Sequence, residues 1–139
     1  MRYLLPPFLA WAIAQVLKVV VTSVRRRHLD LRVLADQGGM PSSHSAIVAA
    51  LTTVVGRLNG VSSDVFAVAL IFSIVVMYDA QGVRRAAGLQ AAVLNRLVDD
   101  LMAHRPIPET RLRELIGHTP VEVLVGAALG VAVGLVPFA

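Results

Sequence analysis

The sequence predicts an all-α integral membrane protein, a single domain over residues 1–139. We expect a helical bundle of about four short transmembrane helices plus one amphipathic interfacial helix. Hydrophobic residues make up 56% of the chain and charged residues only 16%, with a mean hydropathy of +0.70. The chain therefore lacks the polar side chains that cover a soluble surface. The apolar residues also fall into four runs, which in so small a chain favours a membrane bundle over buried core helices.

The first apolar run covers about residues 3–24, which as a helix measures about 33 Å and spans the hydrocarbon core. Arg2 ahead of an apolar run also suggests a cleaved signal peptide. However, no small-x-small cleavage site follows, and the arginine triplet at 25–27 closes the run as a stop-transfer signal does. We therefore expect a retained transmembrane helix.

The other three runs predict transmembrane helices at about residues 43–58, 64–79 and 119–138. The second and third runs are short, and each alone would predict a buried core helix. Between the third and fourth runs, residues 82–104 place apolar side chains near helical spacing with charged residues elsewhere. That pattern predicts an amphipathic helix at the membrane interface, ended by a proline-containing segment.

Basic residues are distributed unequally between the two sides of such a bundle. Four spans place the loop after the first run and the long segment after the third on one side. That side holds ten arginines, which are Arg25, Arg26, Arg27, Arg32, Arg84, Arg85, Arg96, Arg105, Arg111 and Arg113. The opposite side holds Arg2 and Arg57. The positive-inside rule therefore predicts a multi-pass protein of the cell (inner) membrane, with the arginine-rich face in the cytoplasm and both termini outside.

Two basic residues of the first helix are candidate anion ligands at this face. Lys18 and Arg25 are seven residues apart, so both side chains are expected on one helix face, about 10 Å apart along the axis. A lysine inside a span costs about 3 kcal/mol on insertion scales, which favours a partner or a function for it. The alternative is that Lys18 extends to the lipid head groups and the arginines attract lipid phosphates.

A glycine-rich loop leads into the second helix through Ser42, Ser43 and His44. Glycines let the backbone approach a ligand closely, and the first turn of the helix offers free amide groups and a positive dipole end to an anion such as phosphate. His44 in that turn can donate a proton to a leaving oxygen. The alternative is an ordinary serine N-cap, with His44 at the membrane interface.

His118 and Glu122 open the fourth run. A histidine can accept a phosphoryl group as a nucleophile while a carboxylate holds its other ring nitrogen. The same segment also fits a capping box, because Thr119 stands three residues before Glu122 and Pro120 occupies the first helical position. We expect Pro120 to disturb the helical register between the histidine and the carboxylate.

Three segments resemble a known family. They are residues 39–46 (GMPSSHSA), 78–85 (YDAQGVRR) and 115–122 (LIGHTPVE). Together with Lys18 and Arg25, they resemble the divergent branch of the type-2 phosphatidic acid phosphatase superfamily, which also contains the vanadium-dependent haloperoxidases. The resemblance covers nearly the whole chain, and its middle segment is specific to this branch.

The resemblance implies a phosphatase that needs neither a metal nor another cofactor. His118 would attack phosphorus to form a phosphohistidine, with Glu122 orienting the ring. His44 would protonate the leaving alkoxide and later activate water. The phosphoryl oxygens, where transition-state charge gathers, would be held by Lys18, Arg25 and the amides near Ser42 and Ser43.

The chain departs from the family pattern at several positions. Arg26 replaces a proline, Ser43 a glycine and Glu122 an aspartate, and no arginine stands six residues before His118. The charge missing there would come from another arginine, with an acidic residue to position it. These candidates are Arg84, Arg85, Arg113 and, as the acidic residue, Asp79.

Small residues recur on the fourth run as Gly126, Gly130 and Gly134. A small-xxx-small stripe permits close contact between helices. The stripe therefore predicts either packing within the bundle or a homodimer interface.

The leading functional hypothesis is a membrane phosphatase whose lipid-phosphate substrate keeps its tail in the bilayer and its head group at the arginine-rich face. Two alternatives stay open. A non-catalytic binder or carrier of anionic lipids would need Lys18 and the arginines but not both histidines. A small membrane scaffold would depend on the glycine stripe. The chain has few aromatic residues to stack bases, so its net charge of +4 predicts a lipid bilayer partner and no nucleic acid.

Overall fold

The described part of the chain consists of four α-helices and no strand. A computed structural model describes residues 1–28, 39–102 and 118–137, with the side chains of residues 81–87, 100 and 102 outside the description. The helices are α1 (Leu5–Arg26), α2 (Ser43–Asn59), α3 (Asp64–Met102) and α4 (Pro120–Leu135). The predicted all-α class is confirmed, and the predicted bounds of the first, second and fourth helices agree with the structure to within a few residues.

The third helix is longer than predicted. The sequence predicts a transmembrane helix at 64–79 and a separate amphipathic helix at 82–104, but α3 is one helix of 39 residues, about 58 Å long. Residues 103 and 104 lie outside the described part. No proline interrupts α3, and the junction is rich in alanine and arginine, which favour helix. Gly82 opposes it by only about 1 kcal/mol, so the helix continues.

α2 is the central helix and contacts α1, α3 and α4. Ala46 and Ala50 of α2 form the core with Ala10 and Ala14 of α1 and Val133 of α4. Side chains this small allow the helix backbones to approach closely, which gives the bundle its packing energy where the surrounding solvent is lipid.

Polar contacts at one end of the bundle fix the direction of three helices. The Tyr3 hydroxyl donates to Asn59 Oδ1 at 3.3 Å, so the start of α1 lies beside the end of α2. Arg57 donates to the carbonyl oxygen of Gly134 at 2.8 Å, so α2 and α4 end together. α1 therefore runs antiparallel to both α2 and α4.

α3 packs on α2 through a buried pair of hydroxyl groups. Thr52 Oγ1 and Ser73 Oγ are 2.6 Å apart. Thr52 Oγ1 is also 3.1 Å from the carbonyl oxygen of Ala69, and Ser73 Oγ is 3.0 Å from that of Val48. One of the two hydroxyls can therefore donate to a carbonyl and accept from the other hydroxyl. Both hydroxyls thus bond across the interface, which ties the two helices together without an unsatisfied buried group.

Large apolar side chains cover much of the outer surface. α1, α3 and α4 all expose them, including Phe8, Trp11, Val20, Val68, Ile71, Phe72, Val75, Val121, Leu124 and Leu135. Exposed apolar surface on this scale marks contact with a membrane or a partner, because in water it costs about 25 cal/mol per Å². Among the described residues, α1 is long and apolar enough to cross a membrane, and α4 is a shorter apolar helix. The helical bundle is confirmed, and four transmembrane spans stay a prediction.

The glycine stripe of α4 packs against α2 in the same chain. A Cβ added at Gly126 would lie 2.3 Å from the carbonyl oxygen of Ser42, and one at Gly130 would lie 2.3 Å from that of Ala46. Gly134 likewise meets α2 residues. The stripe therefore serves packing within the bundle. Because α2 covers all three glycines, a homodimer would need a different face, and the homodimer itself stays a prediction.

Candidate functional site

Two histidines, at the starts of α2 and α4, meet at the end of the bundle opposite Arg57. His44 lies exposed in the first turn of α2, and His118 lies directly before the N-cap of α4 with only 4% of its surface exposed. Their ring centroids are 6.1 Å apart and the ring planes meet at 63°, an edge-to-face arrangement. Two residues that the sequence places far apart are thus brought into one site.

The position of His44 is set by the cap of α2. Ser42 is the N-cap, and its Oγ accepts hydrogen bonds from the backbone amide of Ser45 at 3.3 Å and from the Ser45 hydroxyl at 3.1 Å. Ser42, Ser43 and Ser45 are all buried, whereas His44 points outwards from the same turn. The serine cap predicted as an alternative is therefore present, and it directs the imidazole to the surface of the site.

His118 is held at its backbone and at its ring. Its amide donates to the carbonyl oxygen of Ala80 in α3 at 3.2 Å. Its Nδ1 lies 3.2 Å from Oε2 of Glu122, and its Nε2 is buried. Sequence reasoning had not singled out Ala80, although this residue falls within the family-specific segment 78–85.

Glu122 orients the imidazole and caps α4 at the same time. Its amide donates to Thr119 Oγ1 at 3.3 Å, and its Oε2 accepts from the amide of Thr119 at 3.0 Å, which completes the predicted capping box. The expected disturbance of the helical register by Pro120 is confirmed, because α4 begins only at Pro120 and no continuous helix joins His118 to Glu122. Proline fits the first helical position, and Glu122 reaches back across the cap to His118, which precedes the helix.

Lys18 is buried beside the loop that leads to Ser42. Only 2% of its surface is exposed, so protein rather than head groups surrounds it. A Cβ added at Gly39 would lie 3.0 Å from Lys18 Cε and 3.3 Å from Cγ. Gly39 has a φ of +108°, a conformation that favours glycine. The lysine stem therefore runs along this loop, a few residues before His44.

Two of the other predicted charged ligands, Arg25 and Asp79, lie on the surface of the described structure. Arg25 is exposed at the last turn of α1 and makes no hydrogen bond or ion pair within the described part of the chain. Asp79 is also exposed. The side chains of Arg84 and Arg85 and the whole of Arg113 lie outside the described residues.

The arrangement has the parts needed to bind a small anion and to move a proton. Two imidazoles, a carboxylate and a buried ammonium group lie near the start of α2, whose first amides and positive dipole end attract an anion. A group held about 3 Å from each imidazole can exchange a proton with one ring while it bonds to the other. Among the described residues, no three His, Asp or Glu side chains converge as a metal site.

Comparison with known proteins gives two matches. A family model described as "Divergent PAP2 family" matches residues 1–133. The chain is 42% identical over 144 residues to the "Uncharacterized membrane protein YuiD" of Bacillus subtilis (strain 168), covering 96% of this chain and 91% of that protein. No solved structure matches.

Proposed function

Since the chain belongs to the divergent PAP2 family, we propose that it is a membrane phosphatase that hydrolyses a lipid-linked phosphate through a phosphohistidine. One observation carries the proposal. His44 and His118 face each other with 6.1 Å between ring centroids, and Glu122 lies on Nδ1 of His118. A nucleophile with an oriented ring and a second proton-carrying group are thereby within reach of one phosphoryl group.

In the first step, Nε2 of His118 attacks phosphorus. Nδ1 keeps the ring proton and donates a hydrogen bond to Glu122, which leaves the lone pair on Nε2. The P–N bond forms as the bond to the lipid oxygen breaks, and protonated His44 gives its proton to the leaving alkoxide. The lipid alcohol departs and His118 carries the phosphoryl group.

In the second step, water replaces His118 on phosphorus. His44, now neutral, removes a proton from the water as it attacks, and the P–N bond breaks. Inorganic phosphate leaves and both histidines return to their starting protonation states. His44 is the exposed member of the pair, which suits the group that meets the leaving alcohol and the incoming water.

Positive charge stabilises the transition state in this scheme. Lys18 is the cation that the described structure places beside the loop, and the first amides of α2 add their dipoles. A guanidinium would complete the site. Arg84 stands one turn after Ala80, whose carbonyl accepts from His118. Its backbone position supports Arg84 as that residue, with Arg25, Arg85 and Arg113 as the other candidates.

The bundle would present this site to a lipid substrate from the cytoplasmic face. The relative is named a membrane protein, and α1, α3 and α4 expose large apolar side chains. The contacts Tyr3–Asn59 and Arg57–Gly134 lie at one end and the histidines at the other, as four spans require. The substrate tail would stay in the bilayer while its phosphate reaches His44.

The test is phosphate release by the purified protein reconstituted in lipid vesicles, with dioctanoyl phosphatidic acid as the probe. His118→Ala is expected to lower the rate by at least about 10³-fold, since it removes the nucleophile. The matched control is His28→Ala. His28 is an exposed histidine directly after α1, and its ring lies 3.1 Å from the carbonyl oxygen of Arg26.

The outcomes separate the proposed functions. Equal phosphate release by His118→Ala and the parent protein would reject the nucleophile. If no lipid phosphate is hydrolysed, but phosphatidic acid binds and still binds after both site histidines are replaced, the protein is an anionic-lipid binder. Normal cellular function after joint substitution of Lys18, Arg25 and His44 would instead indicate a scaffold.

A further inference from the structure

We infer that Gly126 is a positioning residue that sets the separation of His44 and His118. The expected effect of Gly126 on catalysis rests on the proposed function, whereas its effect on the distance between the two histidines does not. Gly126 lies one turn after Glu122 on α4, on the face that meets the start of α2.

The contact at Gly126 is between backbones. A Cβ added there would lie 2.3 Å from the carbonyl oxygen of Ser42 and 3.1 Å from both its carbonyl carbon and its nitrogen. One turn earlier, the carbonyl oxygen of Glu122 accepts a hydrogen bond from the amide of Ser42 at 3.0 Å. α4 therefore touches Ser42 at two successive turns, and no side chain there can rotate to make room.

Each histidine is positioned by one of the two residues that meet at this contact. Ser42 is the N-cap of the turn that carries His44, and Glu122 is the residue that lies on the ring of His118. Real Cβ atoms essentially never approach a neighbour closer than 3.0 Å, so a methyl group at residue 126 must push Ser42 and α4 apart by at least 0.7 Å. The imidazoles would separate with them.

The alternative is that Gly126 merely allows tight packing, as any glycine of the stripe does. Gly134 distinguishes the two, because it also packs against α2 but at the far end of the helix. Its added Cβ would lie 2.7 Å from Thr53 Cβ and 2.9 Å from the carbonyl of Ala50. Eight residues, about 12 Å of helix, separate it from Gly126. Gly134→Ala is therefore the matched control for Gly126→Ala.

The first measurement is steady-state kinetics on dioctanoyl phosphatidic acid, per mole of folded protein. Gly126→Ala is expected to lower kcat by about 10- to 100-fold, because a misplacement near 1 Å costs up to about 10² in rate. KM should change less than about threefold, since the proposed anion ligand Lys18 belongs to α1, whereas the contact at Gly126 is with Ser42. Gly134→Ala should keep kcat within about threefold of the parent.

The second measurement needs no activity. The chain has no cysteine, so His44→Cys with His118→Cys introduces a single pair whose separation can be probed with a thiol cross-linker about 5 Å long. Cross-linking should fall severalfold when Gly126→Ala is added and stay unchanged when Gly134→Ala is added. Equal cross-linking in all three backgrounds would overturn the inference.

The two measurements distinguish a failure of the proposed function from a failure of the positioning role. A parent protein that releases no phosphate, with cross-linking that still depends on residue 126, would reject the proposed function and keep the positioning role. If Gly126→Ala does not fold, Gly130→Ala takes its place, because its Cβ would lie 2.3 Å from the carbonyl of Ala46, nearer the site than residue 134. Cross-linking must then fall more in Gly130→Ala than in Gly134→Ala, and a flat or reversed order would contradict the inference.

Discussion

At the scale of single residues, the carboxylate of Glu122 joins local helix structure to the site. One oxygen, Oε2, accepts from the backbone amide of Thr119 at 3.0 Å and lies 3.2 Å from Nδ1 of His118. Because the cap fixes the carboxylate, its position relative to the imidazole is set before any substrate arrives. Such support from an outer hydrogen bond is what keeps a ring in one tautomer and one orientation.

Replacing Glu122 by glutamine separates the two roles. Glutamine also suits this position of a capping box, so the free energy of unfolding of Glu122→Gln should lie within about 1 kcal/mol of that of the parent protein. Phosphate release should nevertheless fall about 10²- to 10⁴-fold, because the charge that fixes the protonated Nδ1 is lost. Thermal unfolding and phosphate release measured on the same sample check both parts. Thr119→Ser, which keeps the cap, should retain activity, and full activity of Glu122→Gln would refute the role.

Gly39 offers a second test at this scale. Gly39→Ala is expected to destabilise the fold by about 1–3 kcal/mol, because its φ is +108°. It should also weaken competitive inhibition by inorganic phosphate severalfold, because the new Cβ presses on Lys18 Cε. Gly60→Ala is the control, since Gly60 has a φ of +86° with nothing within 4 Å. If the two variants change phosphate affinity equally, Lys18 does not bind the anion.

At the scale of helices, α2 organises the molecule because each of its faces meets a different neighbour. Toward α1 it presents Ala46 and Ala50, toward α4 it offers the carbonyl oxygens that meet the glycine stripe, and toward α3 it presents Thr52. Where lipid replaces water, close packing and interhelical hydrogen bonds hold helices together, rather than hydrophobic burial. α2 uses both kinds of interaction, with close packing toward α1 and α4 and hydrogen bonds toward α3.

The hydroxyl pair between α2 and α3 can be measured directly. Ser73→Ala should lower the free energy of unfolding by about 0.6 kcal/mol, and by no more than about 2 kcal/mol, since it removes the bonds to Thr52 and Val48. Thr53→Val is the control, because Thr53 bonds only within its own helix, to the carbonyl of Ala49 at 2.8 Å. Reversible denaturation in detergent micelles provides the measurement. An equal effect of both substitutions would show that the interhelical bond adds nothing.

At the scale of the whole molecule, polar groups separate to the two ends of an apolar bundle. Both site histidines and Lys18 lie toward one end, and Arg57 donates to the last carbonyls of α4 at the other. The apolar surface between them is exposed, as it is in proteins whose sides face lipid. This polarity, and the excess of arginine that the sequence predicts for the histidine end, both support the proposed cytoplasmic site.

The orientation can be tested with single cysteines, because the natural chain has none. Ser62→Cys and His28→Cys place exposed thiols at opposite ends of the bundle. In intact cells, a membrane-impermeant maleimide should label residue 62 and spare residue 28 until the membrane is permeabilised. The reverse pattern would invert the orientation, and labelling of both in intact cells would contradict a spanning α1.

The sequence by itself determined three of the four described helices, the N-caps of α2 and α4, and the family. Apolar runs and cap signals act over a few neighbouring residues, so the bounds of α1, α2 and α4 and the capping box at Thr119 could be predicted without the fold. The motifs at residues 39–46 and 115–122 likewise carried the resemblance that the family match confirms.

Tertiary structure decided which residues meet. Periodicity predicted Lys18 and Arg25 on one face of α1. Only Lys18 is buried, because α1 packs against its neighbours at residue 18, whereas Arg25 lies exposed in the last turn of the helix. The glycine stripe predicted either packing within the bundle or a homodimer interface, and in the folded chain it packs against α2. Local spacing sets the direction in which a side chain points, but the neighbour that it meets depends on contacts between residues distant in sequence, and those exist only when the helices pack.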